Sequence, residues 1–498
     1  MAQRTLLGAA VLAWTLTAGS GARAASGEAA DPDIAQVAPA APPEAALSID
    51  DEATAMEAAL TAHRDERALG DLVDLERRGS IRVLVRNNAT SFFLYKGIQQ
   101  GFDFEVVKAF AAKHHLRVDT VVPTDASELI PWLLEGRADV IAAGMSVTPE
   151  RSARVAFSRP YLSVDEVLVQ PAHEPPVARV EDLRGRAIHV RRSSSYRTTL
   201  EPLAAQHGFT LVDAPEDLET EQLVAQVASG AIPLTVADST IAATELAGSK
   251  GARVTLVLAR KVPVAFATRP DAPALRAALD AFVGNNARTI ARLHKKYFAR
   301  PTKNAPSQRD VRVTGAISKW DPLIKKYSAR YGIDWRLMAA QAYQESFFDE
   351  HAESWCGALG LFQVMPKTGR ALGFRDVRPP ETSIHAGIKY MAQLIAGFEP
   401  ELPFKHRVRF ALAAYNAGPH HVADARLLAR EMGLDPNKWF GNVEKAMLRL
   451  EDPKVARRMP HGYCRGSEPV KYVSDIQSRY DNWVSVFPLD DAAGPPGH

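Results

Sequence analysis

The sequence predicts a multidomain chain in which an α/β unit precedes a mainly α-helical one. Three observations carry that expectation. Short apolar strands alternate with helical stretches from residue 80 to about 300. A polar stretch, residues 301–314, then breaks the alternation. Beyond it, Trp335, Met338, Ala339, Ala342 and Ser346 recur at helical spacing behind Asp334, a residue suited to cap a first turn. The 498 residues leave room for about three structural units, and an apolar fraction of 46% suits globular cores.

The N-terminus predicts export. Arg4 precedes an apolar run from Leu6 to Leu16, and Ala22-Arg23-Ala24 supplies a cleavage signature, so residues 1–24 read as a signal peptide. The run is too short to anchor the chain across a bilayer, and no cysteine near the cleavage site offers a lipid attachment point. The mature chain is therefore expected in the periplasm, soluble or peripheral at the outer membrane. The full chain carries 60 basic and 58 acidic side chains; removing Arg4 and Arg23 with the signal leaves 58 against 58, which is no nucleic-acid footprint. Residues 25–79 read as an Ala/Pro-rich tether, as in Ala38-Pro39-Ala40-Ala41-Pro42-Pro43-Glu44, followed by a short helical stretch from residue 53 that ends near Arg77-Arg78-Gly79.

Between residues 80 and 300, Ile81-Arg82-Val83-Leu84-Val85 alternates as a strand does. Glu105 to His115 reads as a helix with Val106, Val107 and Phe110 on one face. Ala138–Ala142, Ala187–Val190 and Leu234–Ala237 read as further short apolar strands. Strands alternating with helices predict mostly parallel sheets.

The chemistry concentrates after the linker. Glu345 falls three residues after Ala342 and seven after Met338, beside the apolar stripe of its helix. A carboxyl held against apolar neighbours resists ionisation, and one that keeps its proton near neutral pH can serve as a general acid. An isolated glutamate at a helix end is more often a surface residue, so the segments around it decide. Asp349, Glu350 and Glu353 follow closely but read as a solvated turn, so no second acid shares the setting. His114-His115 and His420-His421 are adjacent pairs that point in different directions on a helix. With no HExxH, cysteine cluster or Gly-rich phosphate loop, neither a metal nor a cofactor is expected.

Those segments make a resemblance. Gln344-Glu345-Ser346, the stretch Ser354 to Pro366 containing Gly357-Ala358-Leu359-Gly360-Leu361-Phe362-Gln363, Ala414-Tyr415-Asn416-Ala417-Gly418 and His461-Gly462-Tyr463 resemble, in order and spacing, the lysozyme-like lytic transglycosylase domain over residues 315–487. The resemblance implies cleavage of the MurNAc–GlcNAc bond of peptidoglycan with Glu345 as the single catalytic acid. It also implies that Ser346, Gln363, Tyr415, Asn416 and Tyr463 line the glycan cleft, while Gly357 and Gly360 shape a loop. Phe347-Phe348 departs from the more polar aromatic pair usual after the Glu-Ser. Cys356 and Cys464 are the chain's two cysteines. In an exported protein they read either as a disulfide pinning the active-site loop to the Tyr463 segment or as two free thiols.

Gly101-Phe102-Asp103-Phe104-Glu105, Gly144-Met145-Ser146-Val147-Thr148-Pro149-Glu150-Arg151, Phe157-Ser158-Arg159-Pro160-Tyr161, Ser193-Ser194-Ser195 and Val236-Ala237-Asp238 resemble the periplasmic solute-binding proteins for polar amino acids, over residues 80–300. That implies two lobes closing on a small amino-acid or muropeptide ligand. Arg151 would clamp its α-carboxylate, Ser146, Ser194 and Ser195 would add donors, and Asp238 would take the α-ammonium. Asp238 is equally suited to cap the helix that starts at Ser239. Phe92, Phe93 and Tyr95 are candidates for an aromatic wall. The two resemblances in this order are similar to the membrane-bound lytic murein transglycosylase F family. They raise the expectation that a bound cell-wall peptide or amino acid modulates the glycan cleft. Two other readings remain open: a peptidoglycan-anchored solute sensor without catalysis, and a lysozyme-type hydrolase.

Overall fold

The alternation of strands and helices between residues 80 and 300 resolves into two five-stranded sheets, one per lobe. A computed structural model describes residues 49–61, 66–88, 90–95, 98–123, 125–247, 249–298 and 316–487. The expected signal peptide, the Ala/Pro-rich segment up to residue 48, the linker 301–314 and the tail from 488 lie outside the described residues. The described residues divide into an α/β unit and a helical unit.

In the first lobe the strand order is β4 (Arg117–Val121), β1 (Ser80–Leu84), β5 (Val140–Ile141), β12 (Ala267–Thr268), β6 (Ala156–Phe157). The hairpin β2 (Phe93–Tyr95) and β3 (Ile98–Gln100) belongs to the same half of the unit. In the second lobe the order is β11 (Ala252–Val264), β7 (Leu162–Pro171), β10 (Thr235–Asp238), β8 (Ala187–Arg191), β9 (Thr210–Ala214). The pairs β1–β4, β1–β5, β8–β9 and β8–β10 are parallel, as helical crossovers require. The sheets are nevertheless mixed. β7 pairs antiparallel with both β10 and β11, and β12 pairs antiparallel with β5 and β6. The reason is the hinge. The chain leaves the first lobe between β6 and β7 and returns between β11 and β12, and two segments crossing in opposite senses must run antiparallel. Ser158 N–H to Phe266 carbonyl, 2.8 Å, and Tyr161 N–H to Val264 carbonyl, 3.0 Å, tie the two crossings.

Phe102, Phe104, Val106, Val107 and Phe110 bury the inner face of the Phe102–Lys113 helix against β1 and the Pro273–Asn285 helix. Gly101 precedes it at φ +133°, where a Cβ would lie 2.1 Å from the Ser91 carbonyl oxygen, so only glycine fits this entry.

The helical unit gathers Asp321–Arg330, Trp335–Ser346, Pro380–Ala396, Phe404–Ala417, Pro419–Glu431 and Ser467–Val486 around a core that includes Met338, Trp439, Tyr480 and Trp483. It also contains a helix from the far side of the α/β unit in sequence. The stretch expected as one helix from residue 53 is two. Leu72–Arg78 ends on Gly79 at φ 75° and belongs to the α/β unit, while Ile49–Thr61 packs in the helical unit. Met56 and Leu60 are buried there. Met56 sulfur accepts the Asp334 N–H at 3.1 Å, and Gln477 Nε2 donates to the Leu60 carbonyl at 3.3 Å. The start of the stretch expected as helical thus completes a core with partners 278 and 417 residues further along the chain.

Met56→Ala is therefore expected to cost about 2–4 kcal/mol, the range for truncating a buried long side chain. Chemical denaturation followed by tryptophan fluorescence should show a lowered midpoint; an unchanged midpoint would mean that Ile49–Thr61 is not part of this core.

Candidate active site and solute cleft

The Trp335–Ser346 helix is held at both ends. At its start Asp334 accepts the Arg336 N–H at 2.9 Å and caps the first turn. The Arg336 guanidinium has no exposed surface. It pairs with Asp334 at 2.5 Å and with Glu57 of the Ile49–Thr61 helix at 2.7 Å, while the Tyr480 hydroxyl donates to Asp334 at 2.7 Å. At its end Phe347 and Phe348 turn the chain through left-handed conformations, φ 55° and 63°. Their rings pack edge-on against Tyr343 at 5.0 and 5.5 Å, and Phe348 stacks on Trp483. The aromatic pair that departs from the family pattern therefore works as a packed helix stop.

Glu345 sits in the last turn, half-buried. Its Oε1 accepts the Tyr472 hydroxyl of the Ser467–Val486 helix at 2.5 Å, and Gln341 Nε2 donates to the same phenol at 3.1 Å. Burial raises the Glu345 carboxyl to about 8, with the Tyr472 hydrogen bond pulling the other way. Burial, and then the charge of Glu345, hold the hydroxyls of Tyr415 and Tyr472 well above their ordinary value. Glu345 is thus a protonated acid at neutral pH with one oxygen fixed by a phenol, as its place beside the apolar stripe predicts. Asp349, Glu350 and Glu353 offer no second acid in a like setting. Asp349 and Glu353 are exposed, and Glu350 pairs with Lys319 at 2.8 Å on the surface.

The residues expected to line the glycan cleft divide. Tyr415 donates to the Phe362 carbonyl at 2.9 Å and packs on Tyr390, and Asn416 follows it at the end of the Phe404–Ala417 helix. Gln363, at φ 47°, spends its amide nitrogen on the Ala352 and Gly360 carbonyls at 3.0 and 2.8 Å. Tyr463 is 53% exposed; its loop is tied down by His461, which contacts Asp424 at 2.9 Å through both its backbone N–H and Nδ1. Ser346 is the correction. It is buried, and its hydroxyl donates to the Leu361 and Ala342 carbonyls, so it fastens the glutamate helix to the Gly360 loop instead of facing sugar. Gly360 is at φ 70°, and a Cβ there would come within 2.7 Å of Ser383 Oγ. The disulfide alternative is also corrected: Cys356 and Cys464 are free. Cys356 lies 3.0 Å from Ser354 Oγ, and Cys464 is buried, its thiol pushed up to about 11 chiefly by desolvation.

Tyr472 went unnoticed in the sequence. It is 127 residues from Glu345, and a tyrosine in an amphipathic helix reads as core. Glu57 went unnoticed for the same reason.

In the α/β unit, Ser146, Arg151, Ser194, Ser195 and Asp238 all line one cavity of about 600 Å³ between the lobes. Arg151 donates to the Ser146 and Ser193 carbonyls, each at 3.0 Å, and so bridges the lobes. Arg86 and Glu219 close across the same gap at 2.6 Å, both buried. Ser194 caps the Ser195–His207 helix. Asp238 precedes the Ser239–Leu246 helix but makes no cap bond with its side chain. The expected aromatic wall is corrected in part. Phe92 is core, edge-on to Phe104 at 5.1 Å, and Phe93 packs against Tyr297. Phe102 and Phe298 line the cavity instead. The Tyr95 side chain lies outside the described residues.

Comparison with known proteins agrees with this division. Residues 322–436 match the model of the Transglycosylase SLT domain, and residues 81–300 that of the bacterial extracellular solute-binding proteins, family 3. Over 424 residues the chain is 34% identical to the membrane-bound lytic murein transglycosylase F of Desulfosudis oleivorans, covering 83% of this chain and 92% of that one. It is 33% identical over 392 residues to the protein of the same name in Shewanella pealeana, covering 78% and 81%. Among solved structures, an ancestral arginine-binding protein bound to arginine aligns with 45% of this chain and 99% of its own, at 24% identity and TM-score 0.41.

Two outcomes follow from the electrostatics of Glu345. The Tyr472 bond favours the ionised carboxyl, so Tyr472→Phe should raise the Glu345 pKa above about 8 and move the alkaline limb of the pH–rate profile upward; an unmoved limb would deny that this carboxyl controls the rate. The second concerns stability. The unfolded carboxyl titrates near 4.5 and the folded one near 8. The fold therefore carries no penalty for burying Glu345 below pH 4.5, and an increasing one as pH rises towards 8. Glu345→Gln should accordingly unfold at a higher temperature than wild type at pH 8 and at a similar one at pH 4, as differential scanning calorimetry can read.

Proposed function

The chain belongs to the membrane-bound lytic murein transglycosylase F family, and on that premise we propose that Glu345 serves as both acid and base in its cleavage of peptidoglycan. The observation that carries this is a desolvated carboxyl whose acidic neighbours in the chain, Asp349, Glu350 and Glu353, are exposed or paired at the surface. A two-carboxylate glycosidase divides acid and nucleophile between two residues; one acid must draw its nucleophile from the substrate. Protonated Glu345 gives its proton to the glycosidic oxygen as the bond from MurNAc C1 breaks, with the N-acetyl group assisting departure. The carboxylate so formed takes the proton of the muramoyl C6 hydroxyl as O6 closes on C1. Glu345 ends protonated again, the glycan ends in a 1,6-anhydromuramoyl group, and no water is consumed. Tyr472 holds Oε1, leaving Oε2 for the sugar. Tyr415, Asn416, Gln363 and Tyr463 are the residues proposed to position the acetamido and hydroxyl groups. Trp355 and Phe347, 64% and 58% exposed, offer apolar faces to a glycan.

The α/β unit is proposed to bind an amino-acid or muropeptide ligand and to modulate turnover. In chain order it is inserted between Ile49–Thr61 and Asp321–Arg330, both of which belong to the transglycosylase unit. Ile49–Thr61 braces the helices of Glu345 and Tyr472, through Glu57 to Arg336 and through the Leu60 carbonyl to Gln477. That supports a covalent route from lobe closure to the acid. The compartment proposed is the periplasm, with peripheral attachment at the outer membrane; no helix among the described residues is long and apolar enough to cross a membrane.

Mass spectrometry of the products from purified sacculi tests the chemistry. Muropeptides one water lighter than hydrolysed ones are expected from wild type, and a loss of about 10³-fold or more from Glu345→Gln. Reducing ends would replace the mechanism with hydrolysis, and no products at all would favour an anchored sensor. Modulation is tested by turnover with and without saturating soluble muropeptides; equal rates despite measured binding would remove it.

A further inference from the structure

The solute cleft holds buried charged groups that are not paired with one another. Arg86 is answered by Glu219, Arg197 by Glu201, and Arg192 by Asp213. Glu150 and Arg154 are exposed and solvated. Two guanidiniums on the wall have no carboxylate. Arg151 donates to the Ser146 and Ser193 carbonyls, and Arg191 to the Leu218 carbonyl at 2.5 Å and the Thr220 hydroxyl at 3.3 Å. Against them stand three buried carboxyls with no cationic partner within 4 Å among the described residues: Asp103, Glu221 and Asp238, at 4%, 5% and 8% exposure. Asp103 is satisfied by the Tyr161 hydroxyl at 2.6 Å. The other two are not. The Asp238 carboxyl meets the Tyr196 hydroxyl but its Oδ1 has no partner, and Glu221, held by its own backbone N–H and by the Thr90 hydroxyl on Oε1 at 3.3 Å, leaves Oε2 bare.

A buried carboxylate oxygen without a partner costs more than almost any other polar group. The protein meets that cost here by keeping the proton: burial pushes Asp238 to about 7 and Glu221 to about 8. A ligand that brings cations to both would relieve it. The proposed reading of the cleft as an α-amino-acid site, on which this inference rests, assigns the ligand carboxylate to Arg151 and the α-ammonium to Asp238. That leaves Glu221 unanswered.

We propose that Glu221 is a subsite for a second ammonium, and that the cleft takes an α,ω-diamino acid of net charge +1. Glu221 stands at the start of the Thr220–Ser229 helix in the second lobe, and Thr90 of the first lobe donates to its Oε1 at 3.3 Å. A distal ammonium at Glu221 is therefore enclosed only when the lobes close, which makes the ω-group a reader of closure as well as of identity. The cavity of about 600 Å³ lies within the range that holds small ligands.

Calorimetric titration of the full chain with L-lysine, L-ornithine and L-norleucine tests the proposal, norleucine having the lysine skeleton without the ω-ammonium. Lysine or ornithine is expected to bind at least about tenfold tighter than norleucine, the scale of a lost buried charge pair. Glu221→Gln should bring the difference down to about threefold or less, and Arg151→Ala should weaken all three. Norleucine binding as tightly as the diamino acids, or a preference that survives in Glu221→Gln, overturns the subsite and leaves the α-amino-acid reading standing. Failure of all three to bind wild type overturns that reading too. The wild-type comparison needs no variant, so a Glu221→Gln chain that fails to fold does not remove the test.

Discussion

A guanidinium with no exposed surface is tolerable only where its charge and its donors are met at once, and Arg336 is met by three segments of the chain. Asp334 supplies the nearest carboxylate, Glu57 a second from the Ile49–Thr61 helix, and Tyr480 steadies Asp334 from the Ser467–Val486 helix. Removing one member of such a buried set costs about 3–5 kcal/mol, because it strands the others. The geometry of the active site follows from it. Nine residues on, about 14 Å along the same helix, comes Glu345. The helix that brings Tyr480 to Asp334 also brings Tyr472 to Glu345. One buried ion cluster at the foot of the helix pair thereby sets the register of the acid and its phenol at the top.

Both units use desolvated carboxyls, to different ends. Glu345 has the phenols of Tyr472 and Tyr415 near it and, among the described residues, pairs with no guanidinium, so its proton stays and is available to a leaving oxygen. The cleft acids share their walls with Arg151 and Arg191 and with one another, so their surroundings suit the arrival of a charged ligand. Burial raises the pKa in each case. What differs is whether guanidiniums stand on the same wall.

The two units are interleaved in the order of the chain. The α/β unit interrupts the transglycosylase unit in sequence: among the described residues, the Ile49–Thr61 helix comes before it and the remainder after. The helix that comes first carries Glu57, so the cluster that registers Glu345 is completed by residues on the near side of the insertion.

Local pattern was enough to read much of this. The strand–helix alternation placed the α/β unit, helical spacing put Glu345 beside an apolar stripe, and a capping Asp334 marked where its helix starts, because each of these depends on residues within a few positions of one another. The five solute-site residues were found by motif and do line one cavity. Contacts between distant segments were not legible. The β7–β11 pairing, the union of Glu57 with Arg336, and the Tyr472 bond to Glu345 join residues about 80 to 280 positions apart. Ser346 illustrates the limit most plainly: its identity follows the motif, but its hydroxyl turned inward to Leu361, since side-chain direction at a helix end is set by what packs there. Sequence periodicity reports which face of an element avoids water; which partner that face meets is settled only when the core closes.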